Sequence, residues 1–110
     1  MRQNKYHNIK IEVDGVKYDS KKEYLRFLDL CILEGNGIIK DLQRQKKFLI
    51  VPKKGNNRRE RFYIADFVYT ENNQKVIEDV KSPITKKNPV YMLKKALVLW
   101  QYPEYIFKEY

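Results

Sequence analysis

An almost unbroken apolar run, Phe62 to Tyr69, carries a single charge at its centre, Asp66. A run of this kind predicts a strongly apolar strand with one carboxylate near its middle. A carboxylate flanked so would cost free energy if buried without a partner, and it needs a metal, a cation or a site. A polar turn, Thr70 to Gln74, follows, and Lys75 to Lys81 then alternates, with Val76, Glu78 and Val80 on one face and Ile77, Asp79 and Lys81 on the other. Asp79 and Lys81 therefore share a face, about 7 Å apart at Cα. Where that face also holds Asp66, two acids and a base converge.

The rest of the chain supplies partners for these strands. Ile9, Ile11 and Val13 alternate up to Asp14-Gly15, and Val16 and Tyr18 follow, which predicts a tight β-hairpin. Ser20 and Glu23 stand in the S-x-x-E spacing of a capping box, and Tyr24, Leu25, Phe27, Leu28, Cys31 and Ile32 continue at helical spacing, so a helix is expected from Lys21 to Glu34. Strands are expected over Ile38–Gln45, Lys47–Val51 and Arg59–Tyr69, arranged as an antiparallel meander, with Pro52–Arg58 as a basic loop. Ser82–Asn88 reads as a polar loop. Asn88-Pro89 starts a second helix, to Gln101, whose apolar stripe is read as Val90, Leu93, Leu97 and Trp100. Glu104–Glu109 reads as a last strand.

With 110 residues, one domain is expected over 9–110, after a flexible segment at 1–8. His7, the single histidine, falls in that segment, so histidine chemistry is set aside. The single cysteine, Cys31, allows neither an internal disulfide nor a cysteine zinc site, and no stretch approaches the length of a membrane span. A cytoplasmic location without a membrane partner is expected. The formal charge of +9 suits a polyanion, and nucleic acid leads that class.

Acids gathered near a lysine suit phosphodiester cleavage. Mg²⁺ or Mn²⁺ takes carboxylate and phosphate oxygens, and lysine both neutralises phosphate and holds a water. Asp66, followed on the next strand by Asp79-Val80-Lys81, with Glu23 on a preceding helix, resembles the PD-(D/E)XK nuclease superfamily of restriction endonucleases and Holliday-junction resolvases. The stretches Val13-Asp14-Gly15, Ser20-Lys21-Lys22-Glu23, Ala65-Asp66-Phe67 and Glu78-Asp79-Val80-Lys81 resemble small, mostly phage-borne proteins within it. The resemblance implies an α+β fold with an αβββαβ restriction-endonuclease-like core: a central mixed β-sheet flanked by two helices, behind an N-terminal β-hairpin. It also implies that Asp66, Asp79, Glu23 and the Val80 carbonyl bind metal and that Lys81 is the catalytic lysine. Two departures stand out: Ala65 occupies the place of the motif's proline, and Pro83 must end the strand soon after Lys81.

The expected activity is metal-dependent hydrolysis of DNA, with branched or junction DNA of phage recombination or replication implied by the resemblance, and a homodimer would suit paired cuts on two strands. Arg44, Lys46, Lys47, Lys53, Lys54, Arg58 and Arg59 are candidate phosphate contacts on an arm, and Lys86, Lys87, Lys94 and Lys95 on the opposite wall. Plainer readings stay open. Glu23 could serve the capping box alone, Asp79 and Lys81 could be a surface ion pair, and Glu78 is read as structural or solvent-facing. The runner-up function is a non-catalytic nucleic-acid-binding module on a nuclease scaffold.

Overall fold

The Asp14-Gly15 dipeptide takes φ of +52° and +79° and closes the first hairpin, β1 (Ile11–Val13) against β2 (Val16–Tyr18). The computed structural model describes residues 9–110; the expected flexible segment and His7 lie outside the described residues. Ser20, extended at φ −158°, caps α1 (Lys21–Gly35), its side chain accepting from the Glu23 amide at 3.1 Å.

The fold is α+β. A mixed four-stranded sheet has the order β3 (Ile39–Val51), β4 (Arg61–Glu71), β5 (Gln74–Asp79), β6 (Tyr105–Glu109), beside the separate hairpin and three helices. β3, β4 and β5 are antiparallel, with the β4–β5 turn made by Asn72 and Asn73 at φ +52° and +63°; β6 runs parallel to β5. The parallel pairing needs a crossover, supplied by α2 (Pro83–Lys86) and α3 (Pro89–Gln101). Asn88 caps α3, accepting from the Val90 and Tyr91 amides.

Three expectations change. The two strands expected over 38–51 are one strand of 13 residues, because Asp41 and Gln45, at φ +58° and +54°, kink it without ending it. Ser82–Asn88 contains the short helix α2, capped by Ser82. On α3 the buried residue is Val98, with Tyr91, Leu97 and Leu99 packed beside it, while Val90, Leu93 and Trp100 are 62%, 62% and 78% exposed. Apart from Lys94 and Lys95 this helix is almost wholly apolar after its cap, so periodicity does not choose a face. Contacts across the sheet choose it: Gln101 and Tyr102 donate from α3's end to the Ile50 and Leu49 carbonyls.

The sheet is buried on both sides, as the apolar run of β4 requires. Phe48, Ile50, Tyr63, Ala65, Val68 and Ile77 pack under α3, and Ile39, Phe67, Tyr69 and Val76 pack with Leu30 of α1. Ala65 and Phe67, two residues apart, thus belong to opposite cores, so alternation breaks between them. Asp66 sits at the break. Gln45 lies opposite it, between the Arg44–Phe67 and Lys46–Ala65 pairs, and both turn toward α1.

Candidate active site

The β4–β5 ladder runs from the turn to the Phe67–Glu78 pair, and beyond it side chains replace the main-chain rungs. The Asp66 amide donates to Asp79 Oδ1 at 2.8 Å, and the Val80 amide donates to Asp66 Oδ2 at 2.9 Å. Each carboxylate satisfies an amide that the parting strands would leave unpaired. Asp79 is fully buried, and its Oδ2 has no hydrogen-bond partner. Lys81 Nζ lies 3.9 Å from Asp66 Oδ2 and 3.9 Å from Asp79 Oδ2, so the three groups share one pocket.

Glu23 joins them from α1. Its Oε2 accepts the Asp19 amide at 2.9 Å, one residue further back than a capping box predicts, and its Oε1 accepts Gln45 Nε2 at 3.0 Å. One Glu23 oxygen thus serves the start of the helix while the other reaches the acid cluster. Gln45 Nε2 also lies 3.3 Å from Asp66 Oδ1 and ties the two acids together. Its φ of +54° is uncommon for a residue with a side chain, and such strain gathers at functional sites.

Burial pushes the Glu23, Asp66 and Asp79 carboxyls above their ordinary range. The Asp66 charge adds to the effect at Glu23, and Lys81 pulls Asp66 and Asp79 part of the way back. Carboxylates so placed favour a cation. One oxygen each from Asp19, Glu23 and Asp66 lies within 4.8 Å of the others, and opposite oxygens around one ion at about 2.1–2.4 Å would span a similar distance. With the unpartnered Asp79 oxygen behind them, this all-oxygen donor set fits Mg²⁺ or Mn²⁺. Val80 lines the cleft with its amide committed to Asp66.

The cleft, about 520 Å³, is lined by Lys21, Lys22, Glu23, Asp66, Lys81 and Thr85 among others. Its floor is braced from behind. Tyr110 donates its amide to the Asp79 carbonyl at 2.8 Å and accepts the Lys81 amide at 3.3 Å, extending the parallel pairing past β5. Glu78 is buried, not solvent-facing. It accepts Arg26 at 2.6 and 2.9 Å and the Tyr69 hydroxyl at 2.7 Å, and the Arg26 guanidinium lies 4.4 Å from the centre of the Tyr110 ring.

Sequence reasoning missed Asp19, Gln45, Lys21 and Lys22. Asp19 carried one signal, standing four residues before Glu23, and Gln45 carried none. Among the candidate phosphate contacts, two are engaged within the fold. Arg44 lies over the Tyr18 ring, 3.6 Å from Glu23, and Lys95 lies over the Phe107 ring, 3.3 Å from Glu109. Neither is a free cation. Lys46 is half-buried beside Phe48, and Lys86 and Lys94 are half-buried, whereas Lys47, Lys53, Lys54, Arg58, Arg59 and Lys87 are exposed.

No curated protein and no solved structure matches this chain. One family profile, described as "Protein of unknown function (DUF1064)", matches residues 3–108. The chain belongs to the DUF1064 family.

Proposed function

We propose that this chain is a metal-dependent endodeoxyribonuclease. The observation that carries the reading is the Lys81 ammonium, 3.9 Å from both Asp66 and Asp79, in a cleft that also holds Glu23 and Asp19. A surface ion pair would not need two nearly fully buried acids around one lysine. The resemblance to PD-(D/E)XK nucleases supports the same residues, as does the basic charge.

Asp66, Glu23 and Asp19 would hold Mg²⁺ or Mn²⁺, with Asp79 behind them. A bound divalent ion supplies Lewis acidity toward a phosphate oxygen and a lowered pKa for water. Lys81 places a cation against the scissile phosphate and, as donor, orients the attacking water along the Asp66–Asp79 edge. Gln45 keeps Glu23 and Asp66 at fixed separation. Lys21 and Lys22 at the mouth meet the phosphates on either side. Branched or junction DNA, a phage origin, a homodimer and a cytoplasmic setting belong to this reading; the exposed thiol of Cys31 suits a reducing compartment. No helix among the described residues is long and apolar enough to cross a membrane.

The reciprocal capping of Asp66 and Asp79 favours one other reading, a nucleic-acid-binding module whose acids only shape the backbone. Incubation of the purified chain with linear, single-stranded, nicked and four-way DNA, with and without Mg²⁺ or Mn²⁺, separates the two. Cleavage that needs the ion and disappears in Lys81→Ala, with DNA binding kept, supports the nuclease. Cleavage kept in Lys81→Ala refutes the assignment, and DNA binding without cleavage or any Mn²⁺-induced rise in Tm selects the binding module.

A further inference from the structure

Among the described residues, one face of the outer half of the β3–β4 hairpin is uncovered. Tyr63 and Ala65 turn to the α3 core, whereas Phe62 and Ile64, on the other side, are 37% and 46% exposed. Alternation aligns Phe62, Ile64 and Asp66 on one row, which rises about 13 Å along the strand. On β3 the parallel row is Gln45 and Lys47; Lys47 pairs with Ile64, and its ammonium lies 5.6 Å from the centre of the Phe62 ring. At the end of the row the connection from β3 to β4 presents Lys53, Lys54, Arg58 and Arg59, β4 opens with Arg61, all five are exposed, and Glu60 is the one acid between 52 and 61. An apolar, aromatic strip edged by cations therefore begins at the acid cluster and leads away from it.

We infer that this strip binds a nucleic-acid strand whose bases are unpaired, with Phe62 and Ile64 against base faces and the lysines and arginines on phosphates. Two properties select this occupant. The cations complement a polyanion and would repel a second copy of the same arm. The apolar side chains gain nothing from a closed duplex, whose base faces are hidden, but a base stacked on an aromatic ring strengthens binding about five- to a hundredfold. Because the row ends at Asp66, the substrate class follows: DNA that is single-stranded or opened within a few nucleotides of the bond to be cut. That last step rests on the nuclease reading; the strip itself does not.

The test is fluorescence anisotropy with the full chain in EDTA, where cleavage plays no part. The probes are a labelled single strand, its blunt duplex, and the same duplex with an unpaired bubble. Phe62→Ala combined with Ile64→Ala should weaken single-strand and bubble binding by about tenfold and duplex binding by less than about twofold, whereas Phe62→Trp should retain all three. Circular dichroism should show both variants folded, since the altered side chains are exposed. Equal losses on all three probes, or none, overturn the inference. So does a wild-type dimer in sedimentation that the double substitution dissolves, since the face would then belong to a second copy. Failure of ion-dependent cleavage with the selective loss intact would remove the nuclease and leave the strip.

Discussion

Asp66 and Asp79 each hold the other's strand: the Asp66 amide donates to Asp79, and the amide of Val80, the residue after Asp79, donates to Asp66. The strands can part here without orphaning a buried amide, and the parting gives the carboxylates their shared access to Lys81. Structural and chemical demands meet on the same atoms, and substitutions can separate them.

Asp79→Ala removes the acceptor for the Asp66 amide and should lower stability by about 1–3 kcal/mol. Asp79→Asn keeps a carbonyl oxygen at the same place and should cost less. Both should abolish ion-dependent cleavage. Urea denaturation beside a cleavage assay checks this, and equal stability of the two variants would count against the capping role.

The raised carboxyls of Glu23, Asp66 and Asp79 fix the sign of a pH effect. Their folded-state pKa values exceed the unfolded ones, so the folded chain binds more protons between the ordinary carboxylate range, about 4, and the raised values. Their favourable contribution is fully present below that range and fades as pH rises through the raised values. Without divalent ions, Asp66→Asn should therefore gain on wild type as pH climbs from the ordinary carboxylate range, about 4, through the raised value. Mn²⁺ should reverse the trend. Denaturation midpoints at a series of pH values measure it, and a gap independent of pH would contradict it.

Gln45 should separate stability from activity. Its φ of +54° suits glycine, so Gln45→Gly should be more stable than Gln45→Ala by about 1 kcal/mol. Neither can bridge Glu23 to Asp66, and both should need more Mn²⁺ for half-maximal cleavage. A glycine variant no more stable than the alanine one would mean that the backbone relaxes.

Glu78→Gln should break the pairing with Arg26 and weaken the Tyr69 contact. Loss of the charge on the buried Glu78, whose Arg26 partner is half-buried, costs about 1–3 kcal/mol. With β5 less firmly held, cleavage should fall more than single-strand binding. Calorimetric Tm and anisotropy on one preparation distinguish this from a uniform loss.

The strand that carries Asp66 was readable because an acid in so apolar a run has few physical explanations, and its partner because Asp79 and Lys81 alternate in step. α1, α3 and both tight turns announced themselves through Ser20, Asn88-Pro89, Asp14-Gly15 and the polar stretch at Asn72-Asn73. The kinks at Asp41 and Gln45 did not, because neither residue type demands positive φ; packing of Ile39 and Leu42 in one core breaks the alternation at Asp41, and packing of Phe48 in the other breaks it again at Gln45. The core face of α3 was unreadable for want of polar contrast. Whether Glu78 was structural or solvent-facing stayed open in the sequence because its partner, Arg26, lies 52 positions away.

Tyr110 has a temporal implication. Synthesis runs from the N-terminus, and Asp79 and Lys81 leave the ribosome well before the residue whose backbone pins them. A growing polypeptide that has released Asp79 and Lys81 but not Tyr110 lacks the two main-chain hydrogen bonds that fix them. On the nuclease reading, the centre would be completed only after α2, α3 and β6 have been made and Tyr110 has closed the parallel edge.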